Sequence, residues 1–442
     1  MTKHNVGLVG IAKEQLVKRF LARRESQPES TSGLLRSTPN FAQIPDKFCR
    51  FDKFPGYEKV AIPQAAARAL GIENPYFKSH EGIADATTLI GGKTYINFSS
   101  YNYLGLCGDP RVSQAAKDAI DRYGTSASAS RLVAGERPIQ RELEEAIADL
   151  YEVDDCVVFV SGHATNVTTI GTLFGPKDLI VHDSLSHNSV IEGIKLSGAT
   201  RRAFAHNDPQ ALEQVLSEIR GNFERVLILI EGLYSMDGDI PDLPKFIDIK
   251  NRYKAFLMVD EAHSLGVLGQ TGRGLREHFN IPGKAVDIWM GTLSKSFASC
   301  GGYIAGEKAL VEHLKYAAPG FVYSVGIAPA MAAASIEAIR IMLAEPERIA
   351  GLRERAMYFL EQAKAKGFDT GFSQGYAVVP VIIGSSLKAT KLSQKMFELG
   401  VNVQPIIHPA VEEKAARLRF FISHTHTPAQ IDQVLALLEK VS

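Results

Sequence analysis

The sequence predicts an α/β fold built on a mostly parallel sheet that is buried on both faces. Two observations carry this expectation. Continuous apolar runs of strand length recur: VVFV at 157–160, LIV at 179–181, VLILI at 226–230, FLMV at 256–259 and IWM at 288–290. Amphipathic stretches such as 139–150 and 209–220 lie between them. Uniformly apolar strands alternating with helices indicate a sheet covered on both sides, since a half-exposed sheet would alternate residue by residue.

The chain divides into four segments. Residues 1–53 form an N-terminal arm and linker, 54–109 a segment packing with a smaller domain, 110–326 the large domain, and 327–442 a helical then mixed C-terminal small domain. In the arm, Leu8, Ile11, Leu16, Phe20 and Leu21 share one helical face, and Lys13, Lys18, Arg19, Arg23 and Arg24 make it basic. It reads as an arm packing on the body or on a second subunit. A membrane-surface helix and a dock for an acidic carrier protein are the alternatives. Residues 25–40 are polar and rich in Ser and Pro, as linkers are.

Composition excludes several function classes. The 442 residues carry 49 basic and 49 acidic side chains, so no basic excess points to nucleic acid. Cys49, Cys107, Cys156 and Cys300 are scattered without CxxC spacing, which argues against a disulfide framework or zinc site and fits a reducing cytoplasm. No apolar run reaches membrane-spanning length and no signal-peptide pattern opens the chain. A cytoplasmic protein is expected, with peripheral membrane contact only through the arm.

The chemistry collects where the runs end. VVFV leads to Ser161, Gly162 and His163; LIV to His182, Asp183 and then His187; VLILI to Glu231 and Ser235; FLMV to Asp260, Glu261 and His263; IWM to Gly291, Thr292, Ser294 and Lys295. Open α/β sheets bind ligands beyond the carboxyl ends of their strands. Polar residues opening a loop explain any one case; five together point to one convergent site.

Lys295, flanked by small and hydroxyl residues in GTLSKS, reads either as a solvated loop lysine or as a desolvated Schiff-base lysine near a phosphate. Asp260 ends a buried run, where an unpaired carboxylate is costly. A helix cap, an internal salt bridge or a protonated pyridine nitrogen would each resolve that cost. Lysine and pyridinium partner together are the arrangement expected for pyridoxal 5′-phosphate.

Competing motifs fail on context. Gly91-Gly92-Lys93-Thr94 resembles the end of a P-loop, but position 87 is Thr and a strand follows rather than precedes it. Gly269, Gly272 and Gly274 do not follow the first strand of a βαβ unit. His424 and His426 lack further metal ligands nearby and are expected at the surface, so no metal site is expected. Asp260 with His263 would suit a hydrolase, but no GxSxG elbow supplies a nucleophile.

Taken in order, Ser100-Tyr101-Asn102-Tyr103-Leu104-Gly105, Gly124-Thr125-Ser126 with Ser130-Arg131, Glu231-Gly232 with Ser235-Met236-Asp237-Gly238-Asp239, Val259-Asp260-Glu261-Ala262-His263-Ser264 and Gly291-Thr292-Leu293-Ser294-Lys295 resemble the α-oxoamine synthases. That family includes serine palmitoyltransferase, the oxononanoate synthase of biotin synthesis, glycine C-acetyltransferase and aminolaevulinate synthase. The resemblance runs from about Phe54 to the C-terminus. It implies a fold-type-I transferase with a large sheet domain and a smaller C-terminal α/β domain, acting as a homodimer with pyridoxal 5′-phosphate.

Carried over residue by residue, the resemblance makes Lys295 the Schiff-base lysine, Asp260 the partner of the pyridine nitrogen and His187 the ring-stacking histidine. His263 and Ser235 match residues near the ring hydroxyl. Gly162 and His163, with Thr292 and Ser294, match the phosphate cradle. Arg419 matches the arginine that holds the amino-acid carboxylate, and Tyr101 and Asn102 lie where the family positions substrate.

The implied reaction is a decarboxylative condensation of a small amino acid with an acyl thioester, carried by coenzyme A or an acyl-carrier protein. SSYNYLG resembles serine palmitoyltransferases, which favours serine over alanine or glycine and sphingolipid or polyketide pathways. Ile407 stands where oxononanoate synthases place an arginine for a distal carboxylate, so an apolar chain is expected. After Tyr323-Ser324 comes Val325-Gly326, which removes the hydroxyl family members often place near the neighbouring subunit's phosphate. An aminotransferase on the same scaffold and a non-catalytic scaffolding subunit are the alternatives; the second typically lacks the lysine.

Overall fold

The computed structural model describes residues 44–69 and 71–442. The basic amphipathic arm and its linker lie outside the described residues. The chain separates into two units, Met1–Gly71 and Ile72–Ser442. The first contains two single 3-10 turns, Asp46–Phe48 and Phe51–Lys53, and the helix Pro55–Ala69.

The second unit carries thirteen strands. β1 (Thr87–Ile90) and β2 (Lys93–Asn97) form a hairpin and join β11 (Val401–Asn402) in a three-stranded sheet. The glycine pair that resembles a P-loop is this hairpin's turn: Gly91 and Gly92 have φ of 58° and 71°, which a tight two-residue connection requires.

The central sheet contains β3 (Asp155–Phe159), β4 (Leu179–Asp183), β5 (Thr200–Phe204), β6 (Val226–Glu231), β7 (Phe256–Asp260), β8 (Ile288–Thr292) and β9 (Gly302–Gly306). Its order is β3-β9-β8-β7-β6-β4-β5. Only β9 runs against the rest, pairing antiparallel with both β3 and β8. All five apolar runs are strands of this sheet.

Alternation sorts the strand residues to two faces. Ile180, Leu227, Leu229, Met258 and Met290 pack with Ile170, Val190, Ile194, Val311 and Leu314 of the helices Gly162–Leu173, Asn188–Ser197 and Lys308–Ala317. Val181, Ile228, Ile230, Val259 and Trp289 pack with Leu143, Ile147, Leu212, Leu216, Phe246 and Ile249 of the helices Pro138–Tyr151, Pro209–Ile219 and Leu243–Tyr253. Both faces are covered, and the carboxyl ends of β4, β6, β7 and β8 are left free to carry chemistry.

A third sheet, β10 (Val378–Ile382), β13 (Arg417–Phe421) and β12 (Gln404–Ile406), forms the C-terminal region with three helices, Glu347–Ala365, Ser386–Glu398 and Pro428–Val441. One expectation is corrected here. His426 is not at the surface: it is 1% exposed and its ring stacks on Phe98 with centroids 4.2 Å apart. Its Nδ1 accepts from the Ser423 amide at 2.9 Å and its Nε2 donates to the Asn97 carbonyl at 3.0 Å. Two backbone partners make a polar ring affordable in the core. No helix among the described residues is long and apolar enough to cross a membrane.

Candidate active site

The carboxyl ends of the sheet strands open into one cavity of about 250 Å³, lined by Tyr101, Gly162, His163, Asn166, His187, Ser189, Glu231, Leu233, Ser235, Met236, Asp260, Ala262, His263, Met290, Thr292, Lys295 and Arg419. Of the residues given a cofactor or substrate role from the sequence, Asn102 and Ser294 do not line it, and of the other strand-end residues Ser161, His182, Asp183, Glu261 and Gly291 do not either. Asn102 is buried; its Oδ1 accepts from the Cys107 amide at 3.0 Å and its carbonyl accepts from Ser423 Oγ at 2.8 Å. Ser294 is exposed beside the cavity, 3.3 Å from Thr292 Oγ1.

Asp260 is the last residue of β7 and is 4% exposed. Its Oδ2 accepts from Asn166 Nδ2 at 2.8 Å and its Oδ1 from the Ala262 amide at 3.0 Å. No described cation is salt-bridged to it. A buried carboxylate without a cation invites a positively charged ligand group.

Lys295 follows β8 and is half-buried, with Nζ 5.4 Å from the centre of the Tyr101 ring. Burial pushes its ammonium down to about 8, against the pull of Asp260 and Glu231. That is the condition under which a lysine becomes an effective nucleophile and base. Glu231, the last residue of β6, is pushed up to about 8 by burial and by the Asp260 charge.

His187 caps the helix Asn188–Ser197. Its amide donates to Glu231 Oε1 at 2.7 Å and its Nδ1 lies 2.8 Å from Ser189 Oγ. Burial holds its ring below the ordinary histidine range. His263 is held further down by burial and the Lys295 charge, and its Nδ1 meets the Tyr103 hydroxyl at 2.8 Å.

At one end of the cavity stands the N-terminus of the helix Gly162–Leu173, whose first N–H groups have no intrahelical acceptor. A Cβ on Gly162 would lie 2.8 Å from Thr292 Oγ1, so only glycine lets the helix start come this close to β8. Free amides beside a hydroxyl form a phosphate cradle.

On another wall, β13 presents Arg419. Its Nη1 donates to the Ser235 carbonyl at 3.0 Å and contacts Met236 Sδ at 3.3 Å, while its Nε is buried without a partner. No described carboxylate pairs with it. A guanidinium with a free edge in a cavity suits a carboxylate ligand. A cradle for an anion, an aspartate without a cation and a lysine lowered by burial together fit a phosphorylated pyridine aldehyde.

Asn166 and Ser189 were not found in the sequence, and Tyr103 and Glu231, though part of its motifs, were given no role. Asn166 sits one helical turn after Gly162 on the same face. A polar amide on a helix otherwise buried against a sheet is the signal that could have found it.

Residues 93–438 match the family of aminotransferases class I and II. The 8-amino-7-oxononanoate synthase of Fervidobacterium nodosum is 42% identical over 359 residues, 80% of this chain and 90% of that protein. Among solved structures, a lysine-to-alanine variant of serine palmitoyltransferase from S. paucimobilis with PLP and myriocin bound has a TM-score of 0.84 at 28% identity, over 87% of this chain and 97% of that one. The 8-amino-7-oxononanoate synthase of Francisella tularensis has a TM-score of 0.69 at 28% identity, over 78% and 97%. The fold is that of the fold-type-I transferases, and the chain belongs to the pyridoxal-phosphate-dependent α-oxoamine synthases within the aminotransferases of class I and II.

Proposed function

We propose that this chain is a C-acyltransferase that uses pyridoxal 5′-phosphate to join a small α-amino acid to an acyl thioester. The bond from Cα to the carboxylate breaks and leaves as carbon dioxide, a bond from Cα to the acyl carbon forms, and the thiol departs with a proton. The observation that carries this reading is the meeting of Lys295, Asp260 and an unpaired Arg419 around one cavity.

When bound, the cofactor supplies an electrophilic carbonyl for the amine and a ring that withdraws electrons from Cα. The remaining work belongs to the chain. Asp260 would hold a proton on the pyridine nitrogen, and Asn166 fixes that carboxylate. His187 would lie against the ring face, the Gly162 and His163 amides with Thr292 and Ser294 would hold the phosphate, and Ser235 and His263 would serve the ring hydroxyl. Arg419 binds the substrate carboxylate through its free edge. Lys295, lowered by burial, would take the Cα proton. The Tyr101 ring lies beside the Lys295 amine, its centre 5.4 Å from it.

The amino acid is alanine, serine or glycine. The likeness to both oxononanoate synthases and serine palmitoyltransferases supports the reaction class and does not single out serine, which SSYNYLG favours. Ile407 supports an apolar acyl chain, on coenzyme A or a carrier protein. A homodimer is supported by exposed apolar side chains on adjacent segments, Val133 at 81% and Tyr323 at 87%, joined by the 2.7 Å bond from Ser130 Oγ to the Val322 carbonyl.

The test is thiol release from a panel of acyl-CoA chain lengths in the presence of each amino acid. Release that requires both substrates and pyridoxal phosphate supports the reading. An amino-group transfer to a keto acid without thiol release would instead establish the aminotransferase alternative.

A further inference from the structure

Resting on the carboxylate-binding reading of Arg419, we propose that His206 is a positioning residue for the amino-acid site, clamping the turn 234–239 against which Arg419 is set. His206 follows β5 and is not part of the catalytic cavity. Its Nδ1 lies 3.0 Å from Asp183 Oδ1 and its Nε2 3.1 Å from Asp239 Oδ2. Both carboxylates are buried.

A carboxylate oxygen within 3.1 Å of each ring nitrogen favours the doubly protonated imidazole, so His206 is set as a partly buried cation between two anions; its contact to Asp239 is an ion pair rather than an aligned hydrogen bond. Burial opposes that charge, but the two carboxylates outweigh it and raise the ring to about 10. Both carboxylates have further partners, although Asp239 Oδ1 is buried without one. Asp183 accepts from the amides of Leu185 at 2.8 Å and Asn207 at 2.7 Å, and from the Tyr234 hydroxyl at 2.9 Å. Asn207 Nδ2 donates to Asp239 Oδ2 at 2.8 Å.

The network ends on the turn 234–239, which is closed by bonds from the Tyr234 amide to the Asp239 carbonyl at 3.0 Å and from the Gly238 amide to the Tyr234 carbonyl at 2.9 Å. Its opposite side is gripped by β13. Arg419 donates to the Ser235 carbonyl at 3.0 Å, and Arg417 to the Met236 carbonyl at 2.9 Å and Asp237 Oδ1 at 2.7 Å. Arg419 thus takes its place from a turn whose other side is pinned by the His206 cation. Removing the cation leaves Asp183 and Asp239 repelling each other and lets Ser235 shift under Arg419.

The experiment titrates the holoenzyme by absorbance with alanine, serine and glycine, and with ethylamine, ethanolamine and methylamine, which lack the carboxylate. The wild type binds the amino acids more tightly than the amines. In His206→Asn that preference falls about tenfold, the loss of roughly one charge-assisted bond, while amine binding and the KM for acyl thioester hold. Tyr234→Phe removes one donor to Asp183 and lowers the preference in the same direction by a smaller factor. Arg419→Gln abolishes it. If Arg419→Gln retains the preference, the carboxylate reading fails and takes this inference with it. If Arg419→Gln loses it but folded His206→Asn keeps it, the clamp alone is overturned. Should His206→Asn not fold, an unchanged preference in Tyr234→Phe overturns the clamp.

Discussion

Asn166 and Asp260 meet side chain to side chain, Nδ2 to Oδ2 at 2.8 Å, from a helix and from the end of β7. The same amide nitrogen donates to Ser189 Oγ at 2.9 Å, and that hydroxyl lies 2.8 Å from His187 Nδ1. One amide therefore ties the residue assigned to the pyridine nitrogen to the histidine assigned to the ring face. Replacing Asn166 with Leu removes a bond to a buried carboxylate, worth about 2 kcal/mol. Equilibrium dialysis of pyridoxal phosphate should show weaker retention by about thirtyfold, with the melting curve of the apo-protein changed far less.

The amine of Lys295 must be neutral to bond the cofactor. Burial lowers its ordinary value of 10.5 to about 8 in the apo-protein. The rate of cofactor uptake, followed by the visible band, should rise with pH and level off above about 8. A rate still climbing toward 10.5 would place the lysine in solvent.

Glu231 presents the reverse case. Its folded value, about 8, lies above the ordinary 4.5, so the folded apo-protein holds a proton that the unfolded chain has lost between those limits. The stability this group contributes is full below 4.5 and is lost as pH rises through about 8. Glu231→Gln keeps an oxygen for the His187 amide but cannot ionise. Its apo-protein should gain stability relative to wild type as pH rises across that window, measured by thermal melts in buffers of matched ionic strength.

Gly162→Ala would place a methyl group 2.8 Å from Thr292 Oγ1 and 3.1 Å from its Cβ. Relieving that overlap costs about 1–3 kcal/mol and displaces one wall of the phosphate cradle. The variant should fold yet need at least tenfold more pyridoxal phosphate for half-saturation. Dialysis checks this directly, and unchanged retention would move the phosphate elsewhere.

The sequence made legible what is set by continuous burial. Its five apolar runs are sheet strands because each residue faces a covered layer, and the ends of β6, β7 and β8 line the cavity because strand ends are where a parallel sheet opens. β5 escaped because it is an edge strand, with Arg201 and Arg202 exposed and no apolar run. β9 escaped because it begins at Gly302, where a Cβ would lie 2.6 Å from Gly162 Cα. Asn166 was hidden because its partners are 23 and 94 residues away, a distance no local pattern bridges. His426 misled because a histidine pair reads as polar, whereas its two backbone partners make it part of the core.

The measurement that tests the central claim most directly counts products. Carbon dioxide released from carboxyl-labelled amino acid and thiol released from acyl-CoA should appear in equal amounts with wild-type holoenzyme, and neither should appear with Lys295→Ala. Thiol without carbon dioxide, or equal release by Lys295→Ala, would contradict the account.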